Sequence, residues 1–275
     1  MRIFRRLDRW LKDPRAQEIT QEEQHCIQSY LQGEDIDLSS LAIASHHISL
    51  RHSYQGIVGL MRGEVEALTD LYQGFYYDYA QIKADDVLYQ MYTHPDKFFV
   101  TSFNQISLAL ANAITLGCLR EAEQLGSCIF RSLDTGQIDD QEPARVAPFL
   151  TALYGQWKGL PPRQELTISA PYSAVLEYWQ SEETAELEQA LLEACEFHIE
   201  RSQNNSRDVY EFRKDEYWLY PVEILAVLRL REMRGLASPV LEHPLMQTPV
   251  GHLYEVRQMA YDPPLEAMFI KSGLR

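Results

Sequence analysis

FNQISLALANAITLGCLREAEQLGSCIFRSLD, residues 103–134, decides the fold. Ile106, Leu110, Ala113 and Ile114 recur at three- and four-residue steps, the spacing that lines one face of an α-helix. Gly117 ends that period, because glycine adopts the left-handed turn after a helix without a Cβ penalty. Arg120-Glu121-Ala122 then opens a second helix whose Leu125, Ile129 and Leu133 point the same way. The unit has the layout of a helix-turn-helix repeat, but no fixed-period copy of it recurs, so a solenoid is not expected.

The same period extends toward the N-terminus. Leu41, Ile48, Ile57, Leu60 and Leu68 predict long helices from Leu38 to about Tyr92, paired as an αα-hairpin, with breaks near Gly56, Gly59 and Gly63. His94-Pro95-Asp96 interrupts the pattern, since a residue before proline is pushed out of the helical region. The opening MRIFRRLDRWLKDP has no continuous apolar run of the secretory kind. It spaces Ile3, Leu7 and Trp10 helically among arginines until Pro14, and is expected to dock on its own bundle rather than lie on a membrane.

Toward the C-terminus the pattern weakens between Asp134 and Tyr172, where turn residues gather and a lobe boundary or long surface loop is expected near 155–172. It returns in EYWQSEETAELEQALLEACEFHIE, residues 177–200, which holds eight glutamates and no Lys or Arg. Leu187, Ala190, Leu191, Ala194 and His198 form the packing face of that predicted helix, leaving Glu182, Glu186, Glu193 and Glu200 on the other. A Glu182–Glu186 pair at i,i+4 would cost roughly 0.2–0.5 kcal/mol without an outside counter-charge. A polar break at Gln203-Asn204-Asn205-Ser206 precedes DEYWLYPVEILAVLRLREMRGLASP, in which Pro221 suits a first helical turn and Gly235 a stop. Five prolines between Pro239 and Pro264 then break the tail into short helices and loops. The fold class expected is all-α, a bundle of αα-hairpins with little or no sheet. It is either one continuous domain or two lobes, 1–155 and 156–275, the second holding the acidic helix and the proline-broken tail.

Composition narrows the function. A chain of 275 residues, 45% hydrophobic, buries a sizeable core. Its formal charge of −15 argues against nucleic acid, whose phosphates demand a positive stripe, and favours a basic protein partner. The charge is unevenly placed, since residues 1–20 hold six basic side chains against three acidic ones. Cys26, Cys118, Cys128 and Cys195 are far apart among apolar neighbours and read as reduced thiols of a cytoplasmic protein. No run reaches the length of a membrane span. No phosphate-loop, dinucleotide, HExxH or GxSxG pattern occurs, His46, His47 and His52 lack ligand spacing, and the doublets Asp85-Asp86 and Asp139-Asp140 point apart. No enzyme activity, metal or cofactor is expected.

A second binding surface is suggested by LTDLYQGFYYDYAQIKADDVLYQMY, residues 68–92. Tyr72, Phe75 and Tyr79 share one helical face, so Tyr76 and Tyr77 fall on others, next to Asp78, Asp85 and Asp86. Tyrosines among carboxylates suit a Lys/Arg-rich partner, and Tyr76, Tyr77, Asp78, Asp85 and Asp86 join the four glutamates as candidate contacts. Core packing is the competing reading for each ring.

The pairing of ALANAITLGCLREAEQLGSCIF with YWLYPVEILAVLRLREMRGL and a proline-broken tail resembles the helical immunity proteins that bacteria encode beside polymorphic or type VI secreted toxins. The resemblance spans about residues 95–250 and lies in helical arrangement more than in strict motifs. It implies a non-catalytic cytoplasmic protein that binds a cognate toxin domain and occludes its active site. It does not fix the interface, so the acidic helix and the Asp/Tyr segment stand on their own residues. The competing class is a helical-repeat scaffold or chaperone for a peptide or secreted protein, with a helical enzyme third.

Overall fold

The computed structural model describes residues 2–91, 102–137, 145–203 and 211–274. Tyr92, His94-Pro95-Asp96, Asp139-Asp140 and Asn204-Asn205-Ser206 lie outside the described residues. The chain is all-α: among the described residues there are eleven α-helices and no strand. They are α1 (Arg2–Leu11), α2 (Pro14–Gln32), α3 (Leu38–Met61), α4 (Leu68–Met91), α5 (Phe103–Leu116), α6 (Leu119–Asp134), α7 (Val146–Lys158), α8 (Tyr172–Tyr178), α9 (Ala185–Arg201), α10 (Val222–Met233) and α11 (Pro263–Ser272). No helix among the described residues is long and apolar enough to cross a membrane. The helices fall into two units, Met1–Thr101 with Gln258–Arg275, and Ser102–Arg257. The boundary expected at 155 instead falls inside α7, because α7 packs on α5 of its own unit, and the tail after 257 belongs with the first unit.

In the first unit α1 docks on α3, with Leu7 fully buried, Trp10 edge-on to Tyr54 at 4.9 Å, and Arg62 paired with Asp8 at 2.7 Å. Asp13 caps α2 by accepting the Arg15 N–H, with Pro14 at the first helical position where its missing donor costs nothing. The α3–α4 hairpin forms as expected, but α3 runs unbroken through Gly56 and Gly59 and reverses only at Gly63, φ +83°. Those two glycines serve close packing, since a Cβ on Gly56 would lie 2.7 Å from the Leu71 nitrogen and one on Gly59 would run into the Ala67 side chain; Gly74 of the facing helix does the same, its Cβ 2.5 Å from Ser53 Oγ. The Ser49 hydroxyl donates to the Gly74 carbonyl at 2.8 Å across the same seam.

In the second unit α5 is the axle. Every residue from Ile106 to Leu116 is buried, as befits a helix apolar on nearly all sides, and α6, α7 and α10 pack around it. Gly117 sits at φ +74° as the predicted stop, and α6 turns back against α5. Polar side chains join α10 and the residues leading into it to α5: Tyr220, two residues before the helix, donates to Asn112 at 3.1 Å, and Arg229 Nε of α10 to the Thr115 carbonyl at 3.0 Å.

Candidate functional site

The acidic stretch 177–200 is not one helix. α8 ends at Tyr178, the chain turns, and α9 begins at Ala185, so Glu182 precedes the helix and the predicted i,i+4 repulsion with Glu186 does not arise in helical geometry. The break has an anchor. Trp179 is fully buried, its indole N–H donates to Gln156 at 2.6 Å, and its carbonyl and that of Ser181 accept from the buried Arg231 guanidinium at 2.7 and 2.9 Å. Arg231 also donates to the Ala237 carbonyl, Nε at 3.0 Å, and thereby fastens the turn before α9 to the end of α10. Burial lowers its pKa from the usual arginine range.

Within α9, Leu187, Ala190, Leu191, Ala194 and His198 are buried, as the periodicity predicts. Glu186, Glu193 and Glu200 are exposed and repeat every seven residues, so they form one stripe roughly 21 Å long at 1.5 Å per residue. Exposed Gln189 and Glu196 widen it, and Gln189 donates to Glu193 at 2.9 Å. No Lys or Arg pairs with Glu182, Glu186, Glu193 or Glu200 among the described residues. Glu186 and Glu188 lie in the first turn, where the helix dipole favours them, whereas Glu196 and Glu200 approach the end that disfavours anions. Glu196, which the candidate set omits, meets His243 of the tail at 3.2 Å.

Beneath the stripe, His198 is fully buried between Glu223 Oε1 (2.9 Å to Nδ1) and the Tyr217 carbonyl (2.7 Å to Nε2). Cys195 shares this interior, and burial followed by the Glu223 charge pushes its thiol up to about 12. A thiol so placed is not an activated nucleophile. The histidines singled out in sequence diverge: His46 meets Gln81 at 3.1 Å, His47 meets Glu23 at 2.6 Å and His52 meets Asp70 at 2.8 Å. No group of three or more His, Cys, Asp or Glu residues converges as a cation site among the described residues.

The Asp/Tyr half of the candidate set requires correction. Tyr76 and Tyr77 are 5% and 3% exposed, too little to anchor a partner. Their hydroxyls serve the chain itself: Tyr76 donates to the Met259 carbonyl at 2.9 Å and Tyr77 to Asp262 at 2.8 Å. Asp262 in turn caps α11 through the Leu265 N–H at 2.9 Å. Asp78 and Asp86 are buried, Asp86 accepting from Gln90 at 3.2 Å, and Asp85 is half-buried. The rings bind the C-terminal segment, a distant stretch that covers the face a lone helix would expose. No protein-family model, curated protein or solved structure matches the chain.

Proposed function

We propose that this chain is a cytoplasmic immunity protein that neutralises a cognate, basic toxin domain by stoichiometric occlusion of its active site, without catalysis or cofactor. The observation that carries this reading is the exposed, unpaired glutamate stripe Glu186–Glu193–Glu200 with Glu182 and Glu196 at its flanks. Half-exposed Ile199 lies beside it and supplies apolar contact area. A stripe of one sign on a chain of net charge −15 accelerates encounter with a basic surface. A Lys/Arg-rich active site built to hold phosphates offers such a surface.

The test is stopped-flow association with the toxin domain encoded by the adjacent reading frame, across a salt series. The expected association rate falls steeply with salt. Glu186→Lys with Glu193→Lys slows it by roughly tenfold at low ionic strength with little change in melting temperature, since both side chains are solvated and the dipole term lost at Glu186 is only about 0.3–1 kcal/mol. A salt-independent rate, or unchanged binding after the reversal, removes α9 from the interface. A neighbouring frame with no basic domain that binds this chain sinks the immunity reading itself.

A further inference from the structure

α1 carries the opposite sign from the chain as a whole. Arg2, Arg5 and Arg9 fall at i, i+3 and i+7, so they share one face, and Arg6 lies beside them; all four are exposed. No carboxylate among the described residues pairs with Arg2, Arg5 or Arg9. By contrast, Arg120 meets Glu121 at 2.9 Å and Lys158 meets Glu123 at 2.5 Å. Asp8, the only acid of α1, is held by Lys12 and Arg62 at 2.8 and 2.7 Å rather than by the arginine face. The apolar side of α1 is already occupied, since Leu7 is fully buried and Trp10 stands edge-on to Tyr54. A helix packed that way has no apolar face left to enter a bilayer.

The complement of this face is on α9. Glu193, Glu196 and Glu200 are exposed at the same i, i+3, i+7 spacing, so each row runs about 10 Å at 1.5 Å per residue, guanidiniums in one and carboxylates in the other. Laid antiparallel, Arg2 meets Glu200 and Arg9 meets Glu193, and the positive end of the α1 dipole lies by the negative end of α9. We propose that the arginine face of α1 docks on the acidic stripe of α9 in a second copy of this chain. A nucleic-acid duplex or an anionic membrane spreads its charge over a surface far larger than the arginine row, and so also meets the acidic remainder of a chain of net charge −15. Repulsion between two acidic copies is screened beyond about 8–10 Å at physiological salt, a distance at which pairs in contact still act. The self-association does not depend on what else α9 binds. Its consequence does: on the reading of α9 as the toxin-binding face, the paired chain is a reserve that the toxin domain must open.

Exposed ion pairs are individually weak, so the full chain is expected to associate at roughly 0.1–1 mM, a range that sedimentation equilibrium reads. Arg5→Glu with Arg9→Glu, and separately Glu193→Lys with Glu200→Lys, are each expected to weaken association by about tenfold or more. The second variant lowers the net negative charge. General repulsion would therefore tighten its association, and only loss of the specific contact weakens it. An equimolar mixture of the two variants recovers association, because the intact α1 of one meets the intact α9 of the other. A wild type that stays monomeric throughout that range, a loss in only one of the two variants, or a mixture that stays monomeric overturns the proposal. So does binding to a DNA duplex or to phosphatidylserine vesicles through the same arginines without self-association, which gives the face to a polyanion. Toxin association indifferent to Glu186→Lys with Glu193→Lys, alongside intact self-association, instead overturns the functional reading of α9.

Discussion

Asp85→Asn turns the burial of one carboxylate into a stability measurement. Asp85 is half-buried on α4, and burial raises its pKa from 3.8 to about 6; the Gln81 amide 3.5 Å away opposes the shift and the Asp78 charge adds to it. The folded chain therefore holds this proton more tightly than the unfolded chain. The stabilisation this gives is fully present below pH 3.8 and lost as pH rises through about 6. A difference of roughly two pKa units is worth about 3 kcal/mol at most once both states are ionised. Asparagine cannot ionise and so escapes that loss. The variant's advantage over wild type is expected to grow from about 1 kcal/mol at pH 4.5 to about 3 kcal/mol at pH 8. Urea unfolding followed by circular dichroism at several pH values reads the difference. A change in hydrogen bonding with Gln81 shifts the two curves by a constant, so the growth with pH is the diagnostic. Parallel curves, or an advantage largest in acid, refute the reasoning.

Arg231→Met withdraws donors from the Trp179, Ser181 and Ala237 carbonyls and is expected to cost the second unit about 2–4 kcal/mol, seen as a lower denaturation midpoint. Arg231→Lys recovers only part of this, because one ammonium cannot reproduce the guanidinium fork. Tyr77→Phe removes the hydroxyl donated to Asp262 and is expected to cost about 1.5–3 kcal/mol, the range for a hydrogen bond to a charged group. Thermal unfolding checks it, and an unchanged melting temperature would detach Tyr77 from the C-terminal segment.

Local periodicity carried the helical class and most of the hairpins into view. Gly117 and Gly63 stop helices where the pattern lapses, whereas Gly56 lies inside α3. A glycine that permits a left-handed turn and one that admits a neighbouring backbone look alike in sequence, and Gly56 is of the second kind because Leu71 crosses it. Trp179 shows the same limit: the acidic period runs through it, but Arg231, 52 residues away, draws its carbonyl out of the helix.

The functional surface divides along the same line. Glu186, Glu193 and Glu200 were legible as a stripe because α9 buries one face on its own unit and these three side chains stay exposed on the other. Tyr76 and Tyr77 were illegible because what covers them, Met259 to Asp262, follows more than 180 residues later. The cavity beside Val240 has no period to announce it for a different reason. Its walls come from a proline-fixed loop with no period, and only the backbone crossing at Gly251 brings Leu236, Met246 and Leu253 around one space. A periodic pattern can announce a face that stays bare. It cannot show which faces a distant segment will claim, nor the concavities that aperiodic chain builds beside them.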